Sequence, residues 1–168
     1  MQTAPPQTLP DKARLFVSGQ ENPTTCAEYF CKKDLVVIFG TPGAFTPTCT
    51  NKHVPGFLEQ AKDIKSLGVD LIACITPNDK FVNDVWAKQI DQDGLLAFVS
   101  DANLEWTSAL GLSEDFSERV MGKRFRRFAL VASKGNILYF SPEKDKSSFE
   151  ASPADRVVEF LKKRQKGG

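Results

Sequence analysis

Cys49 closes the stretch Gly40-Thr-Pro-Gly-Ala-Phe-Thr-Pro-Thr-Cys49, directly behind the apolar run Leu35-Val36-Val37-Ile38-Phe39. The run reads as a buried strand, which places the next residues at the carboxyl edge of a sheet, where α/β folds build their sites. Thr46-Pro47 reads as a helix N-cap followed by proline at the first helical position. Cys49 is then the third helical residue. Backbone N–H groups of a first turn have no partner inside the helix, and together with the positive dipole end they favour a thiolate. That is not sufficient for fast chemistry. Lowering a cysteine thiol from about 8.5 to about 6 takes roughly 3.4 kcal/mol of preference for the anion. A helix terminus supplies about 0.3–1 kcal/mol, or about 2 when partly buried. Complete ionisation raises the thiolate fraction only roughly thirtyfold. A working cysteine here therefore needs a second cation and a hydroxyl beside the sulfur. Thr46 lies one turn before Cys49, and the run Lys123-Arg124-Phe125-Arg126-Arg127-Phe128-Ala129-Leu130-Val131 carries arginines into a buried strand.

The elements that must position these groups are readable. Strands are expected at 35–39, 70–75, 96–100, 127–133 and 136–140, with Ser133-Lys-Gly135-Asn as the turn of a terminal hairpin. Val54, Phe57, Leu58, Ala61, Ile64 and Leu67 recur on one helical face, and Gly68 ends that helix. Further helices are expected over 79–90, 102–111 and 154–164. Residues 1–12, polar and Pro-rich, read as a loose arm of a single domain spanning 1–168. Parallel βαβ units followed by a hairpin predict a mixed sheet covered by helices, an α/β fold of the thioredoxin-like kind.

The chain has 168 residues, 41% hydrophobic and 26% charged, with a net charge of +1. No bulk field gathers phosphates, so the basic cluster 123–127 is read as a solvated strand end carrying one functional arginine, and no nucleic-acid partner is expected. No apolar run reaches the length that spans a bilayer, so no membrane partner is expected. The N-terminus has no apolar signal core. The expected location is cytoplasmic, or an organelle if a targeting segment precedes residue 1. Cys26, Cys31, Cys49 and Cys74 form no C-x-x-C pair, and with one histidine they form no zinc pattern. Reduced thiols are expected over two disulfides. Cys74 lies in an apolar strand and reads as buried and inert, while Cys31 precedes Lys32-Lys33 and reads as exposed. His53, four residues after Cys49, raises a Cys–His hydrolase or transferase as an alternative, with no third group apparent to orient it and with Pro55 expected to bend the helix. A redox-sensing interaction protein with little turnover is the other alternative.

Pro42-x-x-x-Thr46-x-x-Cys49 resembles the peroxidatic motif of peroxiredoxins, and the longer string Thr41-Pro-Gly-Ala-Phe-Thr-Pro-Thr-Cys-Thr-Asn-Lys-His-Val-Pro-Gly-Phe57 resembles the type II, peroxiredoxin-5-like group. The similarity extends through Gly68–Cys74, Asn78-Asp79, the Val85-Trp86 helix and Arg126–Leu130. It implies that Cys49 attacks the terminal peroxide oxygen and becomes a sulfenic acid. It implies that Thr46 orients the peroxide, Pro42 shields the sulfenate, and Arg127 holds the thiolate and polarises the O–O bond. Backbone N–H groups near Gly43 and Cys49 would complete the pocket. The substrates implied are hydrogen peroxide and alkyl hydroperoxides. The resemblance further implies a homodimer, no metal and no bound organic cofactor. No cysteine follows Cys74, so a resolving cysteine near the C-terminus is absent. A one-cysteine cycle is expected, with glutathione and glutaredoxin, or thioredoxin, as reductant. Cys74 as resolving cysteine is the alternative.

Overall fold

The computed structural model describes residues 4–167. Its strands are β1 (Arg14–Val17), β2 (Thr24–Thr25), β3 (Val36–Gly40), β4 (Leu71–Thr76), β5 (Ala97–Ser100), β6 (Ser113–Asp115), β7 (Lys123–Phe125), β8 (Phe128–Ser133) and β9 (Asn136–Pro142). The helices are α1 (Cys26–Tyr29), α2 (Val54–Ser66), α3 (Lys80–Ile90), α4 (Glu105–Ala109) and α5 (Ala154–Gly167). Seven strands make one mixed sheet in the order β2-β1-β5-β4-β3-β8-β9, while β6 and β7 pair separately. β3, β4 and β5 run parallel, with β8 antiparallel to β3.

The sheet is covered on both faces, which explains why its inner strands are apolar without alternation. Val37, Phe39, Cys74 and Phe98 point into a core shared with α2, Trp86 of α3 and α5. Val36, Ile38, Ala73 and Val99 point into the other, shared with Cys26, Phe30 and Trp106. All of β3 is buried, so the segment leaving its carboxyl end starts from a rigid base.

The five expected strands and four expected helices are present, each with shifted ends. The expected helix over 102–111 is only α4, because Asp101 accepts from Trp106 N and Thr107 N and sets its start. β1, β2, β6, β7 and α1 are too short for a periodic signal and lie outside the expected elements. The arm is not loose from Gln7 onward. Leu9 is buried and its N–H donates to the Gly135 carbonyl at 2.9 Å, while the Gln7 carbonyl accepts from Ile137. One apolar side chain and backbone bonds to the β8–β9 turn outweigh the polar composition. Residues 1–3 of the expected arm lie outside the described residues.

Candidate active site

The loop after β3 is held from three directions. The Gly43 carbonyl accepts from Thr46 N at 3.3 Å and from Thr46 Oγ1 at 2.7 Å. Asn78 Oδ1, just beyond β4, accepts from Ala44 N at 2.8 Å. Arg124, in β7, donates from Nη1 to the Pro42 carbonyl at 2.8 Å and from Nε to the Met121 carbonyl at 2.9 Å. A Cβ on Gly43 would stand 2.5 Å from Arg124 Nη1 and 2.9 Å from Thr46 Cγ2, so a side chain there would displace the guanidinium that holds the loop. Phe45 has φ +66°, a left-handed conformation that costs a non-glycine residue roughly 1–2 kcal/mol. Such strain persists where the surroundings over-determine it, as these bonds do.

Helical structure begins at Pro47. The Thr46 carbonyl accepts from Thr50 N at 2.9 Å, so Thr46 stands at the N-cap position and Cys49 is the third helical residue. The Thr46 hydroxyl, however, donates to Gly43 instead of accepting from the first turn. With its proton committed, the hydroxyl can act toward a further partner only as an acceptor. Among the described residues the N–H groups of Thr48 and Cys49 have no backbone partner. Cys49–His53 form a π-turn that runs directly into α2, with Val54 N bonded to the Cys49 carbonyl. The cause is Pro55. In a regular α-helix its ring would meet the Asn51 carbonyl and its missing N–H would leave a gap. The wider turn absorbs both, so the expected bend becomes a local π-bulge, a feature frequent at functional sites.

Arg127 Nη1 donates to Cys49 Sγ at 3.0 Å. Register explains how residues 78 apart in sequence meet. Gly40, the last residue of β3, pairs with Phe128, the first of β8, so Arg127 lies across the carboxyl end of β3. Cys49 is fully buried and Arg127 is 8% exposed, so their attraction is little screened by water. Phe149 covers the guanidinium at 5.9 Å. Glu143 is buried and gathers the loop carrying Phe149, accepting from Glu150 N, Ala151 N, Ser152 N and Ser152 Oγ. Its own N–H donates to the Arg127 carbonyl at 2.8 Å. Burial would raise the Glu143 carboxyl, but these donors hold it below the usual glutamate range.

Pro42, Gly43, Thr46, Cys49 and Arg127 thus come together at one strand end. Cys74 sits fully buried in β4, in the same apolar cluster as Cys49. Burial, and then the neighbouring Cys49, push its thiol well above the ordinary range. His53 does not orient toward a nucleophile's proton. Its Nε2 lies 3.1 Å from the Ser152 carbonyl, so Nε2 carries the hydrogen, and its ring packs among Phe39, Phe57 and Phe149. Burial, reinforced by the charge of Arg127, lowers it to about 3. Sequence reasoning missed Arg124, Asn78, Glu143 and Phe149 as parts of this site. Asn78 and Arg124 fall in stretches already singled out, but nothing in spacing told which side chain reaches the loop.

The redoxin family model matches residues 4–158. Peroxiredoxin-2C of Oryza sativa subsp. japonica is 44% identical over 155 residues, covering 92% of this chain and 95% of the relative. Peroxiredoxin-2B of Arabidopsis thaliana is 43% identical over 126 residues, covering 75% and 77%. Among solved structures, reduced Prx3 of Vibrio vulnificus in complex with hydrogen peroxide superposes with a TM-score of 0.88 at 33% identity, covering 98% of this chain and 99% of that one. The antioxidant protein of Plasmodium falciparum, a 1-Cys peroxiredoxin, gives 0.85 at 28% identity, covering 96% and 99%. The fold is thioredoxin-like, and the chain belongs to the redoxin family and, within it, to the peroxiredoxins, the thiol-dependent peroxidases.

Proposed function

We propose that this thiol peroxidase works through Cys49 as its sole peroxide-reactive group, in a one-cysteine cycle. The 3.0 Å bond from Arg127 Nη1 to Cys49 Sγ carries the reading. The thiolate attacks the terminal oxygen of hydrogen peroxide or an alkyl hydroperoxide. The O–O bond breaks, the sulfur takes the terminal oxygen as a sulfenic acid, and the other oxygen leaves as water or an alcohol. Charge moves from sulfur to the leaving oxygen, and a cation already seated beside the sulfur stabilises that shift without reorganising. Thr46, its proton donated to Gly43, accepts from the peroxide O–H and so fixes which oxygen faces the sulfur. The free N–H groups of the first turn add donors, and Pro42 roofs the pocket without adding an acceptor of its own side chain.

An external thiol then attacks the sulfenic acid, water leaves, and a second thiol releases Cys49. Cys74 is disfavoured as resolving cysteine because its thiol is fully buried and raised. Glutathione with glutaredoxin, or thioredoxin, is the reductant class, and the location is cytoplasmic or organellar. Among the described residues no helix is long and apolar enough to cross a membrane. A homodimer fits the exposed apolar side chains beside the site: Phe45, Phe81 and Val85 are 49%, 76% and 52% exposed. Sedimentation equilibrium reads that directly.

The test is stopped-flow tryptophan fluorescence of reduced protein mixed with hydrogen peroxide, beside Cys49→Ser, followed by mass spectrometry. A rate orders of magnitude above a free thiol, lost in the variant, with one oxygen added to Cys49, is expected. A free-thiol rate would overturn the roles given to Arg127 and Thr46. An internal disulfide as the product would overturn the one-cysteine cycle.

A further inference from the structure

Two cysteines that the peroxide site leaves unused lie together on the opposite face of the sheet. Cys26 opens α1, and Cys31 follows the helix by two residues. The Cys31 N–H bonds back to the Cys26 carbonyl at 3.2 Å, beside the Phe30 N–H at 2.8 Å on the same oxygen. A bond from residue i+5 to residue i closes the helix end sharply, and it turns both side chains to one side. Their sulfurs are 3.9 Å apart, in contact and unbonded. Cys26 is fully buried and Cys31 half-buried. The Trp106 indole N–H donates to Cys26 Sγ at 3.2 Å. Cys31 rests on Gly135, where a Cβ would stand 3.3 Å from its sulfur, so that glycine leaves Cys31 the room it occupies.

We infer that Cys26 and Cys31 form a second dithiol–disulfide couple, independent of Cys49, that is oxidised by low-molecular-weight disulfides. Cys31 is the entry point, because it alone of the pair reaches solvent. Its thiolate attacks a sulfur of the small disulfide, forming a mixed disulfide and expelling one small thiol. Cys26 then loses its proton to water and attacks Cys31 Sγ, forming the internal disulfide and expelling the second thiol. Two protein thiols and one small disulfide give one protein disulfide and two small thiols. The sulfurs need to close from contact to bond length, about 2 Å, which side-chain rotation in a surface turn supplies.

Burial pushes the Cys26 thiol up to about 12 against the pull of the indole N–H, and burial also raises Cys31. Two consequences follow. Attack by Cys31 is slow, since the thiolate is the nucleophile. The disulfide, once made, is hard to reduce, since high-pKa thiols are poor leaving groups. The couple is therefore a slow, persistent record of the thiol–disulfide balance, not a turnover site.

The experiment uses the full chain carrying Cys49→Ser and Cys74→Ser, so failure of the Cys49 reading leaves it untouched. The protein is equilibrated with glutathione and oxidised glutathione at ratios from reducing to oxidising. Free thiols are counted, the intact mass is measured, and fluorescence is followed through Trp106, which packs against this pair while Trp86 lies across the sheet. Expected are the paired loss of both thiols, a mass lower by two hydrogens, a Cys26–Cys31 cross-linked peptide, and a fluorescence change reversed by dithiothreitol. A Cys26→Ser version should instead hold a glutathione adduct on Cys31; should it not fold, the mass and thiol count of the parent decide alone. Two free thiols at every ratio, a glutathione adduct that persists with Cys26 present, or a disulfide between two chains would each overturn the inference.

Discussion

At the scale of single residues the site rests on one cation and one hydroxyl whose partners are already fixed. Arg127 presents a planar fork, with Nη1 on Cys49 and its face under Phe149. Lysine keeps the charge but loses the stack and the second donor. Arg127→Lys is therefore expected to slow peroxide reaction roughly 100- to 1000-fold, the cost of removing one transition-state donor, with circular dichroism unchanged. Stopped-flow rates at several peroxide concentrations check it; a loss under tenfold would mean that charge alone suffices. Thr46→Val keeps shape and removes the acceptor. A hydrogen bond to a developing charge is worth about 1.5–3 kcal/mol, so a tenfold to hundredfold drop is expected in the second-order rate, with thiol alkylation at Cys49 much less affected. The sequence asks for a cation and a hydroxyl near a helix-start cysteine, and the structure sets Arg127 on Cys49 with Thr46 at the start of the same helical turn. Which arginine supplied the cation came from the resemblance, since the cluster contains Arg124, Arg126 and Arg127. Only the register of β8 against β3 separates Arg127, over the thiol, from Arg124, on the loop.

At the scale of elements, the long periodic segments and the buried strands were legible, since hydrophobic burial writes them directly into residue order. The pieces that hold the loop after β3 were not. Asn78 acts across two strand ends, and its side chain bonds Ala44 N at a sequence separation of 34 residues. The strand order β4-β3 brings it there, and no local pattern encodes that approach. The π-turn was equally hidden: Pro55 announced an interruption, but whether a helix bends or widens depends on what packs outside it. Here α2 is clamped against the sheet through Phe57, Ala61 and Ile64, all fully buried, and the chain takes the wider turn over Cys49–His53. The prediction at this scale is Asn78→Ala. It removes the acceptor of a buried N–H while keeping the Asn78 backbone bonds to Thr76 and Ser100. The expected cost is about 1–3 kcal/mol in urea unfolding, with peroxide reactivity reduced because Phe45 relaxes out of its left-handed conformation. Unchanged stability together with an unchanged rate would show that Arg124 and the Gly43 turn hold the loop unaided.

At the scale of the whole molecule, folding places a titrating ring in a dry interior next to a permanent cation. His53 packs among three aromatic rings, its Nε2 hydrogen on the Ser152 carbonyl and its Nδ1 buried without a partner. Its folded value, lowered to about 3 by burial and then by Arg127, lies below the ordinary histidine value of about 6.5. The unfolded chain therefore binds a proton that the folded chain refuses. Stability is complete above the unfolded value and falls as pH drops from about 6.5 toward about 3, with a slope approaching 1.4 kcal/mol per pH unit. Glu143 acts in the same direction lower on the scale. Its carboxyl is held below the ordinary range by the Glu150–Ser152 donors, so its contribution is present at neutral pH and is lost as the acid limb is descended. Urea unfolding at stepped pH should show this decline beginning at about 6.5, with Asp101, whose carboxyl burial raises, acting in the opposite direction. His53→Gln retains a side-chain donor for the Ser152 carbonyl but cannot charge, and the decline between about 6.5 and 5 should vanish in it while the lower limb from Glu143 persists. A wild-type profile flat from pH 7 to 5, or a variant profile that still falls there, would mean that His53 reaches solvent or finds a proton partner. The same protonation would put a second positive charge beside Arg127. In the folded chain that charge appears only near about pH 3, so peroxide reactivity should not follow the stability decline between about 6.5 and 5.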